Sequence, residues 1–225
     1  MTNGIPSNFL AGLDDSDKRT ITTSVPYFGV LSVGGPVISG NSSPKTIIHD
    51  GRHAQTLANL LESQGIRCKI EGSRRAANGI KDIDMAAIQK LIWVSSMWLF
   101  CHDSEEEDAA ALTCSEVHDL KNAQLKELLR ELVPAANELL EVYHPGSSTG
   151  IGSIDEVAKH LEDYSNSIPT AVVSKHLSIE EFEQRNGYLL SVERLAPQPI
   201  HREIVERVVR YIPEYELDHN NNVPC

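Results

Sequence analysis

The chain has few basic residues for its acidic content. Among its 225 residues, 20 lysines and arginines stand against 32 aspartates and glutamates, which gives a net charge of −12. Such a charge opposes binding to nucleic acid and to an anionic membrane surface, because both partners are themselves negative. A small anionic substrate is still compatible, since one local basic group can bind a carboxylate within an acidic protein.

Paired cysteines and long apolar runs are also missing. The four cysteines, at positions 68, 101, 114 and 225, form no Cys-x-x-Cys pair, which favours reduced thiols in an intracellular protein. No apolar run reaches the ~18 residues of a membrane span, and the N-terminus has no signal-peptide pattern. We therefore expect an intracellular protein, most simply a cytoplasmic one. His49 and His53 are four residues apart, but Asp50 and Gly51 between them break a helix, so no metal site is predicted.

The residues that are present divide the chain near position 80. Up to residue 75, β-branched residues, glycine and proline predict short strands at 25–33, 36–39, 46–49 and 66–70, with one helix at 53–64. Residues 72–79 are a basic, glycine-containing linker. This pattern predicts a small α/β piece over residues 1–75.

From residue 80 onward the pattern predicts helices alone. Residues 80–213 should form one all-helical domain, followed by a flexible tail at 214–225. The helix at 82–102 is apolar on all sides, which is typical of a buried helix. Ser178 and Glu181 have the spacing of a capping box, which predicts a helix from 178 to 192. The other helices are expected at 124–143, with a kink at Pro134, at 153–164, and from Pro199 onward.

Three positions are candidates for chemistry. Lys90 is the only charge between positions 85 and 101. It either extends its ammonium group to the surface or is buried, in which case desolvation lowers its pKa and makes it a usable proton donor. Glu181 is either a helix cap or a site carboxylate. Asn186 and Gly187 are poor helix formers inside a predicted helix, and a glycine there indicates close approach of another group.

At these residues the chain resembles the ketopantoate reductase (2-dehydropantoate 2-reductase) family. Ile88-Gln-Lys90-Leu-Ile resembles the family's helix with a catalytic lysine, and Glu181 to Gly187 matches its Glu-x-x-x-x-Asn-Gly. Asn166 has the spacing of a family asparagine, and Asn3-Gly4 matches the Asn-Gly that ends the nucleotide domain. The resemblance extends from Asn3 to about residue 209. It implies a mainly α fold: a helical C-terminal domain of the ketopantoate reductase or 6-phosphogluconate dehydrogenase-like type, after a small α/β remnant of a Rossmann domain.

The same resemblance implies a reaction. NADPH would deliver hydride to the ketone of a small 2-keto acid, and Lys90 would supply the proton. Glu181 would hold a substrate hydroxyl or keep the lysine charged. Asn166 and Asn186 would bind substrate, and Asn3 would contact the cofactor. We expect Lys90, Asn166 and Glu181 to converge on one cleft that faces Asn3.

Several positions depart from the family pattern. Ile88 stands where the family often has tryptophan, and Val94 and Trp98 stand where it often has asparagine. Pro169 replaces an expected serine. The Gly-x-Gly-x-x-Gly unit that holds NADPH in this family is missing, and we expect it upstream of this sequence. These departures favour a substrate other than ketopantoate, or no turnover at all.

Three hypotheses follow. The chain is part of a ketopantoate-reductase-like oxidoreductase, a non-catalytic helical module for dimerisation or binding, or a half-enzyme completed by a separate nucleotide-binding chain. For the chain alone, we expect no useful affinity for NADPH, because no glycine-rich turn at a helix N-terminus is present to hold a pyrophosphate.

Overall fold

The computed structural model describes residues 12–14, 21–30, 37–39, 45–73, 79–103, 110–146, 150–193 and 196–209. Predictions that fall on other positions, among them Asn3 and the tail at 214–225, lie outside the described residues. Within these ranges, no helix is long and apolar enough to cross a lipid bilayer.

The N-terminal part contains two small sheets and one helix. In the three-stranded sheet, β4 (Thr46–Asp50) lies in the centre, antiparallel to β1 (Ser24–Val25) and parallel to β5 (Cys68–Ser73). Strands β2 (Phe28–Val30) and β3 (Val37–Ser39) form a separate antiparallel pair. The strand predicted at 25–33 is therefore wrong as one element, because β1 and β2 belong to different sheets. Helix α1 (Ala54–Ser63) joins the parallel strands β4 and β5.

This α/β part is packed directly on the following helix. Tyr27 is almost fully buried, and its hydroxyl donates a hydrogen bond to the Ala86 carbonyl at 3.3 Å. Its backbone amide donates to Thr46 Oγ1 at 3.0 Å, which ties β4 to the same point. Val25 and Tyr27 consequently belong to the main hydrophobic core of the helical part.

Every element from Gly79 to Val209 is helical among the residues described. The two longest are α2 (Gly79–His102) and α3 (Cys114–Tyr143), and α4 (Ile154–Ser167) and α7 (Pro199–Val209) complete the main helices. Helix α2 is buried along most of its length, as its apolar sequence predicts. The predicted start of α7 at Pro199 is confirmed.

Helix α3 differs most from its predicted bounds. It begins at Cys114 instead of 124, because Thr113 and Glu116 form a complete capping box: Glu116 donates its amide to the Thr113 hydroxyl and accepts the Thr113 amide in return. It then continues without a break through Pro134. Near its centre, the Glu131 carboxylate accepts the amides of Ile200 and His201 at 3.0 and 2.9 Å. A side chain of α3 thereby satisfies free backbone donors in the first turn of α7.

The helix predicted at 178–192 is wrong. The chain instead forms α5 (Lys175–Glu180), a 3₁₀ turn (Phe182–Gln184) and α6 (Asn186–Leu190). Ser178 caps nothing: it is buried within α5, and its hydroxyl accepts a hydrogen bond from Arg185 Nη1 at 3.0 Å. The turn folds back closely at Gly187, where a Cβ would meet the Phe182 carbonyl at 3.0 Å and the Phe182 ring at 3.1 Å. The close approach predicted for this glycine is therefore confirmed.

Candidate functional site

Lys90 projects from the buried helix α2 without a hydrogen bond or ion pair of its ammonium group to a described residue. Ile88, Leu91 and Ile92 beside it are buried. Burial and, to a smaller extent, the positive charge of Arg185 lower the pKa of Lys90 from 10.5 to about 8, while the negative charge of Glu181 acts in the opposite direction. At neutral pH the group is therefore charged, yet it can release a proton far more easily than a surface lysine.

Glu181 reaches the same region in an ion pair with Arg185. Glu181 Oε2 lies 2.5 Å from Arg185 Nη2, and the Glu181 side chain is 32% exposed. Arg185 also donates from Nη1 to the buried Ser178 hydroxyl. The pair is possible because the chain breaks between α5 and α6, which turns Arg185 inward. Glu181 and Arg185 are the two charged groups whose fields act on Lys90.

Asn186 is fully buried and lies against His201. His201 Nε2 is 2.8 Å from Asn186 Oδ1, and Nδ1 is 2.8 Å from Gln198 Oε1. The Gln198 amide nitrogen donates to the Leu189 carbonyl at 2.7 Å, which fixes Gln198 Oε1 toward the ring. Burial lowers the pKa of His201 to about 3, so the ring is neutral and has a single N–H. The Asn186 amide nitrogen has no hydrogen-bond partner among the described residues. A half-turn of this amide satisfies both ring nitrogens of His201, because Nδ1 then donates to Gln198 and Nε2 accepts from Asn186.

Asn166 is exposed on α4, and no described contact joins it to Lys90 or Glu181. Its neighbour Ser165 is buried instead: the Trp93 indole donates to the Ser165 hydroxyl at 3.0 Å, and His118 Nε2 lies 2.9 Å from the same oxygen. These contacts place α4 beside the stretch of α2 that follows Lys90. The roles assigned to Asn166 and Asn186 as substrate ligands stay predictions, as does the shared role of Lys90 and Glu181.

The sequence reasoning missed Arg185. Its signal was available, because glutamate and arginine four residues apart are a common pair on a helix surface. The observed pair lies across a break between helices, with Arg185 only 9% exposed. An arginine buried beside a half-buried lysine is unusual, since both cations resist removal from water.

The turn from β4 into α1 is the parallel strand–helix turn where a phosphate group would bind. At Gly51, a Cβ would meet Thr22 Oγ1 at 2.6 Å and the Ile21 carbonyl at 2.8 Å. The His53 amide donates to the same Thr22 oxygen at 3.1 Å, and the Ala54 amide donates to the Gly51 carbonyl at 3.0 Å. The space beside Gly51 is therefore filled by Ile21 and Thr22 of the protein itself, and the glycine is needed because a side chain would not fit there. A pyrophosphate needs free amides at a helix N-terminus, and these described residues do not fit one.

Comparison with known proteins gives one finding on the fold. No protein-family model matches the sequence, and no curated protein matches it. Among solved structures, a PanE/ApbA family ketopantoate reductase from Ralstonia eutropha JMP134 resembles the chain with a TM-score of 0.51 and 13% sequence identity. The match covers 84% of this chain and 58% of that one. The chain has the fold of part of a ketopantoate reductase. An identity this low shows the fold alone, and the predicted fold class, mainly α with a small α/β region, is confirmed.

The chain spans 58% of the length of that reductase. The activity of the longer protein is therefore a proposal for this one. The placement of residues 80–213 as a C-terminal helical domain also stays a prediction.

We expect that the purified chain does not bind NADPH with useful affinity. The physical reason is the turn at Gly51: the amide of His53, the residue before α1, is bonded to Thr22, and the amide of Ala54 is bonded to the Gly51 carbonyl. Titration with NADPH, followed by the fluorescence of the nicotinamide, should show no saturation in the micromolar range. A dissociation constant in the low micromolar range would contradict the expectation and would point to a phosphate cradle elsewhere in the chain.

Proposed function

We propose that this chain is the acid-binding part of an oxidoreductase similar to ketopantoate reductases, and that Lys90 is the proton donor to a 2-keto acid. The observation that supports the proposal is the Lys90 ammonium group: it is desolvated on an apolar helix, has a pKa of about 8, and is influenced by the fields of Glu181 and Arg185. A half-buried charge that no described residue pairs with destabilises a fold, so its presence is best explained by a ligand.

Lys90 would act on the ketone oxygen of the bound acid. Its N–H group donates a hydrogen bond to that oxygen, and a positive charge held there stabilises the negative charge that develops during reduction. The proton then passes from Nζ to the alkoxide, which a lysine with a pKa near 8 does more readily than one near 10.5. Glu181 raises the lysine pKa and so keeps the group protonated at neutral pH.

The hydride donor is not among the described residues. The turn at Gly51 does not fit a dinucleotide, so we propose that NADPH, if it is the donor, is held by a separate unit. This unit would be either a nucleotide-binding segment joined to the same polypeptide or a separate nucleotide-binding chain. Without either one, the chain would be a non-catalytic module that binds an acid or a second copy of itself.

The pH dependence of acid binding tests the role of Lys90. Titration calorimetry with ketopantoate and with trimethylpyruvate should show binding that is constant below pH 8 and weakens above it, by about tenfold per pH unit. The sign follows from the pKa, because the ammonium group loses its proton as pH rises through about 8. Lys90→Met should lack both the binding and the pH step.

The matched control is Lys126→Met on the surface of α3, where the Lys126 ammonium lies 3.6 Å from Asp155. This variant should bind the acid as the unchanged protein does. Two results would overturn the proposal: acid binding that stays constant to pH 10, or equal binding by Lys90→Met.

A further inference from the structure

Lys90, Arg185 and Glu181 together carry one excess positive charge. Two cations and one carboxylate act on each other here, and Arg185 is only 9% exposed. An arginine cannot lose its proton inside a protein. A half-buried excess charge of this kind is stabilised by one negative charge from a ligand, and a dianion would leave an excess negative charge beside Glu181.

Arg185 has one hydrogen-bond donor that no described residue satisfies. Nη1 donates to Ser178 and Nη2 pairs with Glu181. Nε is buried and has no hydrogen-bond partner among the described residues. An unpaired buried N–H of a charged group is costly, and a planar carboxylate matches the N–H groups of a guanidinium better than other acceptors do.

The surroundings of these charges are apolar. Val94 lies one helical turn after Lys90 on the same side of α2. The Trp98 ring meets the Phe182 ring edge-on, with centroids 6.2 Å apart, and Phe182 directly follows Glu181. The ion pair with Arg185 partly neutralises the Glu181 carboxylate, which makes Glu181 a weaker acceptor for a hydroxyl of the ligand. A ligand side chain beside Lys90 would therefore lie near half-buried Val94, next to a core that is apolar.

We infer that Arg185 binds the carboxylate of the substrate, and that the substrates are monocarboxylic 2-keto acids with an apolar side chain. Glu181 then orients Arg185 and does not hold a substrate hydroxyl. The inference rests on the proposed function, since Lys90 at the ketone oxygen places the adjacent carboxylate toward the second cation. A structural ion pair between Arg185 and Glu181 is the competing account, and it predicts no change in ligand preference when Arg185 is replaced.

Four small probes separate these accounts in titration calorimetry. Trimethylpyruvate is the apolar acid, pinacolone is the same ketone without a carboxylate, ketopantoate adds one hydroxyl, and oxaloacetate adds a second carboxylate. The unchanged protein should bind trimethylpyruvate about tenfold or more tightly than pinacolone or oxaloacetate, and at least as tightly as ketopantoate. Ketopantoate bound tenfold more tightly than trimethylpyruvate would show that Glu181 takes the hydroxyl, and would overturn the inference.

Arg185→Leu should weaken trimethylpyruvate binding by about 10- to 100-fold and leave pinacolone binding unchanged. Arg185→Lys should recover part of the loss. Ser178→Ala, which removes only the hydroxyl that holds Nη1, should give a loss of about two- to fivefold and serves if Arg185→Leu fails to fold. The control is Arg202→Leu, which removes an exposed arginine paired with Glu193 on the surface and should change neither ligand.

The measurements distinguish failure of the Arg185 inference from failure of the proposed function. If the ratio of trimethylpyruvate affinity to pinacolone affinity is the same in Arg185→Leu and in the unchanged protein, Arg185 is structural and the inference is wrong. The proposed function would still stand in that case if acid binding depends on Lys90. If no 2-keto acid binds the unchanged protein, both are overturned.

Discussion

Replacing Lys90 with methionine should make the fold more stable while it removes acid binding. Burial and Arg185 lower the pKa of Lys90 from 10.5 to about 8, which corresponds to a free energy on the order of 3 kcal/mol against the charged form. Methionine fills a similar volume without a charge. We expect the free energy of unfolding at pH 7 to rise by about 1–3 kcal/mol, and the melting temperature to rise by roughly 2–4 °C for each kcal/mol in a chain of this size.

The stability advantage of Lys90→Met should decrease as pH rises from 8 to 10.5. Since the folded pKa lies below the unfolded one, the unfolded chain binds more protons between pH 8 and pH 10.5. Stability of the unchanged protein therefore rises through that window, and the advantage of Lys90→Met disappears there. Denaturant unfolding of both proteins at pH 7 and pH 10 measures the difference, and Lys126→Met should stay within about 0.5 kcal/mol of the unchanged protein.

A loss of stability in Lys90→Met would contradict a role of Lys90 as a charge held for a ligand. It would mean that the ammonium group is bound by the protein itself and contributes to folding. Stability and acid binding are measured separately, so Lys90→Met alone tests both the effect of Lys90 on folding and its effect on acid binding. Residues that serve a site at the expense of the fold are expected to give this combination.

The parts of the fold that were predictable are those whose signals are local. The apolar sequence of α2 has no competing interpretation, and Pro199 and Gly65 mark a helix start and a helix stop within a few residues. The beginning of α3 was missed although Thr113 and Glu116 spell a capping box. The residues that follow it are mostly polar up to position 124, so the apolar periodicity that indicates a helix starts late.

The break between α5 and α6 was not predictable from local pattern. Ser178 and Glu181 have capping-box spacing, yet both side chains bind Arg185, and a tertiary contact overrides the local preference. For the site, Lys90 could be selected because a lone charge on an apolar helix is rare. Arg185 has a local signal in its four-residue spacing from Glu181, but its burial depends on that break and was not predictable.

Acid should unfold the protein through His201. This ring is fully buried between Gln198 and Asn186, and burial lowers its pKa to about 3. Because the unfolded chain has a histidine pKa near 6.5, it binds more protons below that pH, so stability falls as pH decreases from 6.5 toward 3. His102, His118 and His160 are partly buried, and burial lowers their pKa values too, so they contribute in the same direction.

The contribution of His201 alone should be about 2 kcal/mol between pH 7 and pH 5. His201→Gln, which can still donate to Gln198 and accept from Asn186, should lose about that much less stability over the same interval in denaturant titrations. His53→Gln is the matched control, because His53 is exposed before α1, and it should keep the full pH dependence. Equal pH slopes in His201→Gln and the unchanged protein would show that the ring is protonated without cost in the folded state, and would contradict this prediction.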